Sequence, residues 1–147
     1  MERITKDDYF LNIAKVVASR STCLRRQYGS VIVKDGQILS TGYNGSAVGE
    51  DNCCDTMICV RQQSGVAHGE RYELCCAVHS EANAIMQAGR HARDAVLYLA
   101  CFEGAKEITN PKPCLMCRRL IKNAGISKIV TVDDVEVFHL NNQNTQN

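Results

Sequence analysis

The sequence predicts an α/β layered domain whose sheet is part antiparallel and part parallel. Two runs rich in Val and Ile, residues 30–34 and 37–41, flank Asp35 and Gly36, a dipeptide that favours the tight turn of a β-hairpin. After the hairpin, segments with helical spacing of apolar residues alternate with short apolar runs. That alternation is typical of helices that pack on a sheet and connect its strands.

The first helix is predicted before the hairpin. Phe10, Ala14 and Val17 recur at helical spacing and Thr5 supplies a capping hydroxyl, so the helix should extend to about Arg20. The same spacing rules predict the elements that follow the hairpin. These are a helix over residues 80–89, a strand over 95–101, a helix over 114–124, a strand over 128–132 and an edge strand over 135–140.

Size and charge limit the class of protein. The 147 residues suit one domain, which we expect to occupy residues 1–140, followed by a disordered tail over residues 141–147. With 17 basic and 16 acidic residues the net charge is +1, so we expect a small-molecule substrate and no nucleic acid. The charged first ten residues and the lack of any run of about 18 apolar residues predict a cytoplasmic protein without membrane contact.

The cysteines favour metal binding over disulfides. There are nine, an odd number, and no export signal accompanies them. In a reducing compartment such cysteines are more often metal ligands or buried thiols. Five of the nine lie within or directly after residues 44–75, a stretch without helical or strand periodicity that we predict to be a long loop.

Two short motifs, HSE at residues 79–81 and PCLMC at 113–117, carry the candidate chemistry, and each begins a predicted helix. Cys114 and Cys117 are three residues apart, so they share one helix face and can bind one ion. Zinc held by two thiolates and the imidazole of His79 keeps a fourth position open for water, as in catalytic sites. Glu81, two residues after His79, is suited to carry protons at that position.

Histidine-x-glutamate followed by Pro-Cys-x-x-Cys is the signature of zinc nucleobase deaminases. From Tyr9 to about Val130 the sequence resembles the deoxycytidylate deaminases, a family of the cytidine deaminase superfamily. The segment TGYNG narrows the resemblance from the superfamily to the family. The matching segments are residues 21–23, 29–33, 40–46, 79–85, 113–117 and 124–126.

The resemblance implies a three-layer α/β/α fold of the cytidine deaminase type, with a mixed five-stranded sheet that opens with an antiparallel hairpin. It implies hydrolysis of dCMP to dUMP and ammonia at a catalytic zinc bound by His79, Cys114 and Cys117. In this reaction zinc activates a water molecule that attacks C4 of the cytosine. Glu81 moves one proton from the water to N3 and a second to the departing amine.

The resemblance also implies substrate contacts. Asn44 of TGYNG is expected to contact the sugar or base, although Asn followed by Gly also favours a plain turn. Ser80 stands where the family usually has alanine; its backbone N–H is expected to meet the base, and we expect little effect from the exchange. The phosphate needs a cation, with Arg26 as a candidate and Arg90 as a match to a family arginine linked to regulation and subunit contact. The other available cations are Arg25, Lys112, Arg118 and Arg119.

Some relatives hold a second, structural zinc beneath the long loop, and Cys23 and Cys53 match positions that bind it. The loop has few apolar residues, and ordering it costs roughly 1 to 2 kcal/mol per residue, so a zinc ion is a reasonable source of stability. Cys59 and Cys75 are our choice for the remaining ligands. Rival ligands are Cys54, Cys76 and His68, and buried free thiols are the alternative to a second zinc.

Other interpretations stay open. The resemblance suggests a homohexamer regulated by dCTP and dTTP. The substrate is alternatively another cytosine or purine nucleoside or base, and the charge balance argues against the wobble adenosine of tRNA. In a different class of protein, the same motifs would hold zinc in a binding module without catalysis. Glu81 distinguishes an enzyme from such a binding module, because a structural zinc site does not need a carboxylate beside an open coordination position.

Overall fold

One mixed sheet forms the centre of the chain. The computed structural model describes residues 1–138, so His139 and Leu140, the end of the predicted edge strand, and the predicted tail lie outside the described residues. In the sheet the strands are ordered β2-β1-β5-β7-β8. Their bounds are β1 Gln27–Lys34, β2 Gln37–Tyr43, β5 Val96–Glu103, β7 Lys128–Val130 and β8 Val135–Val137.

The pairing of these strands confirms the predicted fold class. Strand β5 pairs antiparallel with β1 and parallel with β7, and β8 closes the far edge antiparallel to β7. A sixth short strand, β6 (Lys106–Ile108), pairs with the end of β5 beyond the region that β7 covers. Strand β6 was not predicted, because three residues are too few for a period of two to be recognised.

The predicted hairpin is confirmed. Strands β1 and β2 pair antiparallel, and both are longer than the runs of Val and Ile. Asp35 and Gly36 have positive φ values of 52° and 74°, the conformation that a two-residue hairpin turn requires.

Helices cover both faces of the sheet. Helix α1 (Lys6–Ala18) packs on β1 and β5, while α4 (Ser80–Ala88) and α5 (Leu115–Asn123) lie on the opposite face. Along β1 the side chains alternate, with Val31 and Val33 in the cluster under α1 and Ile32 in the cluster under α4 and α5. Each face of the sheet therefore has its own apolar core, as a three-layer fold requires.

The long loop has more local structure than predicted. It contains two single-turn helices, α2 (Cys53–Thr56) and α3 (Val60–Gln63), and a 3₁₀ turn over Tyr72–Leu74. At its base, β3 (Gly45–Ser46) pairs antiparallel with β4 (Ala77–Val78). These elements have fewer than five residues each, which explains why periodicity did not reveal them.

No helix within residues 1–138 is both long and apolar enough to cross a membrane.

Gly42 allows β2 to approach the first turn of α4 closely. A Cβ atom at this position would lie 2.3 Å from the carbonyl oxygen of Ser80 and 2.6 Å from the backbone nitrogen of Ala84. Nearby, the hydroxyl of Ser40 donates a 2.7 Å hydrogen bond to the carbonyl of Ala84. The position of the α4 amino terminus is therefore fixed by backbone contact with the sheet.

We predict that Gly42→Ala lowers the free energy of unfolding by about 1–3 kcal/mol, because the added methyl group pushes α4 away from the sheet. The measurements are thermal denaturation and the zinc content of the purified protein, and both should fall. Gly36→Ala is the matched control, since its Cβ would have no atom within 4 Å and only the turn conformation is strained. A zinc content for Gly42→Ala equal to that of the control would contradict this role.

Candidate functional site

Two helix starts meet at one point and bring three metal-ligating side chains together. His79 is the N-cap of α4, Cys114 is the N-cap of α5, and Cys117 lies in the first turn of α5. The ligand atoms of these residues all lie within 4.8 Å of one another. The predicted convergence of the two motifs is therefore present in the fold.

The spacing of these atoms fits a zinc ion. The Nδ1 atom of His79 lies 3.5 Å from the sulfur of Cys114 and 3.5 Å from that of Cys117. Tetrahedral zinc, with bonds of about 2.3 Å to sulfur and about 2.0–2.1 Å to nitrogen, separates nitrogen from sulfur by about 3.5 Å. Three protein ligands leave one tetrahedral position for water, the arrangement of a catalytic site rather than of a closed structural one.

Hydrogen bonding prepares one thiolate for metal binding. The neighbouring Cys117 thiol and the His79 ring lower the pKa of Cys114 to about 4, and the sulfur of Cys114 also accepts the backbone N–H of Cys117 at 3.4 Å. The helix dipole of α5 favours negative charge at this end. The hydrogen bond with Cys114 raises the pKa of His79, while the proximity of Cys114 raises the pKa of Cys117.

Glu81 is buried beside the three ligands, with 4% of its surface exposed. Its Oε1 atom accepts a 2.6 Å hydrogen bond from the hydroxyl of Ser80, and the Ser80 oxygen lies 2.8 Å from that of Ser30 in β1. The carboxyl group is also near the thiol of Cys117. Only the backbone N–H of Ser80 was expected to meet the base, and little effect was expected from the exchange with alanine. The hydrogen bond from the Ser80 hydroxyl to Glu81 gives that exchange a physical consequence.

The metal group lies in the wall of an open pocket. His79, Ser80, Glu81 and Cys114 form one wall. The remaining lining residues are Cys23, Arg25, Arg26, Tyr28, Asn44, Arg61, His68, Tyr72, Cys75, Ala77 and Lys112.

The lining of the pocket is rich in cations. Arg61 is 6% exposed, yet none of the ion pairs found in residues 1–138 involves Arg61, Arg25 or Arg26. One guanidinium nitrogen of Arg25, Nη1, is buried without a hydrogen-bond partner. Burial and the three nearby arginines lower the pKa of His68. Such a cluster favours an anionic ligand.

Asn44 lines the pocket, but most of its side-chain capacity is used within the protein. Its Oδ1 atom accepts from the backbone N–H of Tyr28 at 2.8 Å and from the hydroxyl of Ser21 at 2.5 Å. Its Nδ2 atom donates to the carbonyl of Arg26 at 2.9 Å. One N–H of the amide therefore remains for a ligand.

Two functional candidates were missed by sequence reasoning. The guanidinium of Arg61 stacks on the ring of Tyr72 at 4.5 Å and donates to the carbonyls of Glu70 and Ala67. The Tyr72 ring in turn contacts the ring of His79 edge-on, with centroids 4.9 Å apart. Both residues lie in the aperiodic loop, where no local pattern indicates which side chains turn inward.

The candidate phosphate ligands divide into two groups. Arg26 and Lys112 line the pocket, whereas Arg90 lies exposed after α4 and does not line it. Arg118 forms an ion pair with Glu136 of β8.

The candidate ligands of a second zinc are less closely grouped than those of the first. Within residues 1–138, the group of three or more possible ligands whose atoms all lie within 4.8 Å of one another is His79, Cys114 and Cys117. The sulfurs of Cys53 and Cys76 are 3.6 Å apart, and burial followed by the Cys76 contact raises the pKa of Cys53 to about 12. The nearby thiols of Cys23 and Cys59 add to the rise in the pKa of Cys53. Burial raises the pKa of Cys75, and the thiol of Cys23 adds to that rise. Of the rivals, Cys54 is exposed, with its thiol directed at Asp55, and His68 lines the pocket instead.

A family model for the cytidine and deoxycytidylate deaminase zinc-binding region matches residues 4–133. The chain belongs to this family. Its zinc-binding region therefore contains the group formed by His79, Cys114 and Cys117, and this group suits zinc by geometry and by donor type.

Several relatives are similar over most of the chain. The deoxycytidylate deaminase of Mycobacterium phage D29 is 37% identical over 135 residues, which cover 88% of this chain and 96% of that protein. The deoxycytidylate deaminase of Schizosaccharomyces pombe is 34% identical over 126 residues, 84% of this chain. The present chain matches only 36% of the length of the yeast protein.

Solved structures share the fold. The dCMP deaminase of cyanophage S-TIM5, crystallised with dCMP and dUMP, has a TM-score of 0.62 at 22% identity, covering 88% of this chain and 82% of that one. The cytidine deaminase of Mycobacterium leprae has a TM-score of 0.55 at 20% identity, covering 91% and 94% of the two chains. The predicted cytidine deaminase-like fold is thus confirmed.

Proposed function

We propose that this chain is a zinc-dependent deaminase that hydrolyses dCMP to dUMP with release of ammonia. The observation that carries the proposal is the burial of a carboxylate, Glu81, beside a three-ligand zinc site at the wall of an open pocket. Relatives named deoxycytidylate deaminases, at 37% and 34% identity, support dCMP as the substrate. The arginines that line the same pocket as Glu81 supply a partner for the phosphate of dCMP.

The proposed mechanism divides the chemistry among few residues. His79, Cys114 and Cys117 would hold zinc, which when bound supplies a water nucleophile at neutral pH. Glu81 accepts a proton from the attacking water and delivers it to N3 of the cytosine as the water oxygen bonds to C4. It then takes the remaining proton from that oxygen and delivers it to the amino group, whose bond to C4 breaks as ammonia leaves. The buried position of Glu81 keeps bulk water from competing for these protons.

We predict that Glu81→Gln retains zinc and folds normally but lowers kcat for dCMP by about two to four orders of magnitude, because the amide cannot shuttle protons. Ammonia release and zinc content are the measurements. The exposed Glu73→Gln is the matched control and should keep full activity. Activity of Glu81→Gln close to that of the control would leave the binding-module interpretation as the better one.

The substrate phosphate is proposed to bind at the cationic side of the pocket, with Arg25 and Arg26 as the principal ligands. The unpaired Nη1 of Arg25 and the unpaired charge of Arg61 support an anionic ligand at this place. Arg61 also hydrogen-bonds two loop carbonyls, so its replacement would disturb the loop itself. Asn44 retains its proposed contact to the sugar or base, through the one free N–H of its amide.

We predict that Arg25→Gln raises KM for dCMP about 10- to 100-fold, because a charge-assisted hydrogen bond to phosphate is lost. Activity on deoxycytidine, which has no phosphate, should change little. Arg20→Gln is the control, since Arg20 is exposed and does not line the pocket. Equal effects on dCMP and deoxycytidine would contradict a phosphate contact, and assays with cytosine, guanine and adenosine would test the alternative substrates.

A second, structural zinc is proposed for the base of the loop, bound by Cys23, Cys53, Cys59 and Cys75. The contact of the Cys53 sulfur with that of Cys76, a rival ligand, and the effect of Cys23 and Cys59 on the pKa of Cys53 support a thiol-rich site at this place. Four thiolates would close the coordination sphere, as in structural sites.

We predict about two zinc ions per chain in the wild-type protein, about one in Cys114→Ser and about one in Cys53→Ser. Metal analysis by mass spectrometry measures this, and heating should unfold Cys53→Ser at a lower temperature because the loop loses its bound ion. Cys54→Ser is the control and should retain both ions. If the wild-type protein contains one zinc ion per chain and Cys114→Ser contains none, the loop cysteines are free thiols. The zinc content of Cys76→Ser distinguishes Cys76 from Cys59 as the fourth ligand of the second site.

The homohexamer and the regulation by dCTP and dTTP, with Arg90 as a candidate, stay predictions. A cytoplasmic location is also proposed, because a reducing compartment keeps the thiols of both sites available for zinc.

A further inference from the structure

Three buried polar side chains, linked by hydrogen bonds, connect the sheet to the carboxylate of the active site. Ser30 and Ser80 have no exposed surface, and Glu81 is 4% exposed. The Ser30 and Ser80 oxygens are 2.8 Å apart, and the Ser80 oxygen is 2.6 Å from Oε1 of Glu81. Ser30 lies in β1 and Ser80 is the first residue of α4, so these hydrogen bonds connect the sheet to the helix.

Donor and acceptor capacity fixes the direction of these bonds. The single O–H of Ser80 donates to Oε1 of Glu81 and has no second proton to donate elsewhere. The Ser80 oxygen must then act as the acceptor towards Ser30, whose O–H is the donor. All three groups are satisfied in this one arrangement, and each of them is buried where an unsatisfied group is unfavourable.

We propose that Ser80 is a positioning residue for the reaction, a role that rests on the proposed function of Glu81. Its hydroxyl occupies one lone pair of Oε1 and fixes the rotamer of the carboxylate. The other lone pairs of Glu81 remain directed at the reacting atoms. Small displacements of a reacting group lower rates steeply, so a fixed carboxylate favours both proton transfers.

Ser30 has a different role in this hydrogen-bonded group. It orients the O–H of Ser80 towards Glu81, but Ser80 can still donate to Glu81 without it. Removing Ser80 alone leaves the buried hydroxyl of Ser30 without its side-chain partner, which lowers stability. Removing both hydroxyls together leaves Oε1 of Glu81 without its donor but no serine hydroxyl without a partner. Stability and catalysis should therefore respond differently to the three variants.

The experiment compares wild type, Ser30→Ala, Ser80→Ala and the double variant by kcat and KM for dCMP, melting temperature and zinc content. We expect kcat to fall about tenfold in Ser80→Ala and equally in the double variant, with KM and zinc content unchanged. Ser30→Ala should keep kcat within about twofold of wild type. The melting temperature should fall in Ser80→Ala and recover in part in the double variant, in which the Ser30 hydroxyl is no longer left without a partner.

The double variant separates positioning from a purely structural role, and it serves as the test even if Ser80→Ala alone does not fold. Recovery of kcat together with the melting temperature would overturn the proposal, as would wild-type kcat in Ser80→Ala. A drop in zinc content parallel to the drop in kcat would also overturn it. If the wild-type protein does not deaminate dCMP, the proposed function fails, and the positioning role of Ser80 fails with it. If the wild type is active and the serine variants keep its kcat, only the positioning role is rejected.

Discussion

The close contact between β2 and the first turn of α4 determines where the metal-binding side chains lie. At Gly42 the backbones approach so closely that no side chain fits between them. This contact fixes the amino terminus of α4, where His79 caps the helix and Glu81 follows within the first turn. The amino terminus of α5 arrives from the parallel crossover between β5 and β7 and brings Cys114 to the same point.

This arrangement explains why the metal site is built from helix caps. A cap residue has extended backbone, so His79 and Cys114 are each held at the junction of a loop and a rigid helix. The positive end of the α5 dipole favours the thiolate of Cys114, and the hydrogen bonds from Cys117 reinforce it. The ligands are consequently arranged by packing of the sheet and the helices, and zinc would enter a site that is largely preformed.

The elements with strong local signals could be predicted from the sequence. The turn at Asp35 and Gly36 specifies the hairpin through two positive φ values, and apolar spacing reveals the three long helices. The two motifs indicated the metal group because their residues are close in sequence and begin helices. The contacts of Arg61 with Tyr72 and of Ser30 with Ser80 had no such signal, since the serines are 50 positions apart and meet only through the tertiary fold.

The pairing of β3 with β4 has a consequence for how this protein family can diversify. The two strands bring both ends of the long loop together, so the loop leaves and rejoins the body of the protein at one place. Its length can therefore vary while its two ends stay at one point. The loop supplies Arg61 and Tyr72 to the pocket while the helix starts supply the metal ligands, and the edge-on contact of Tyr72 with His79 joins these two parts of the site.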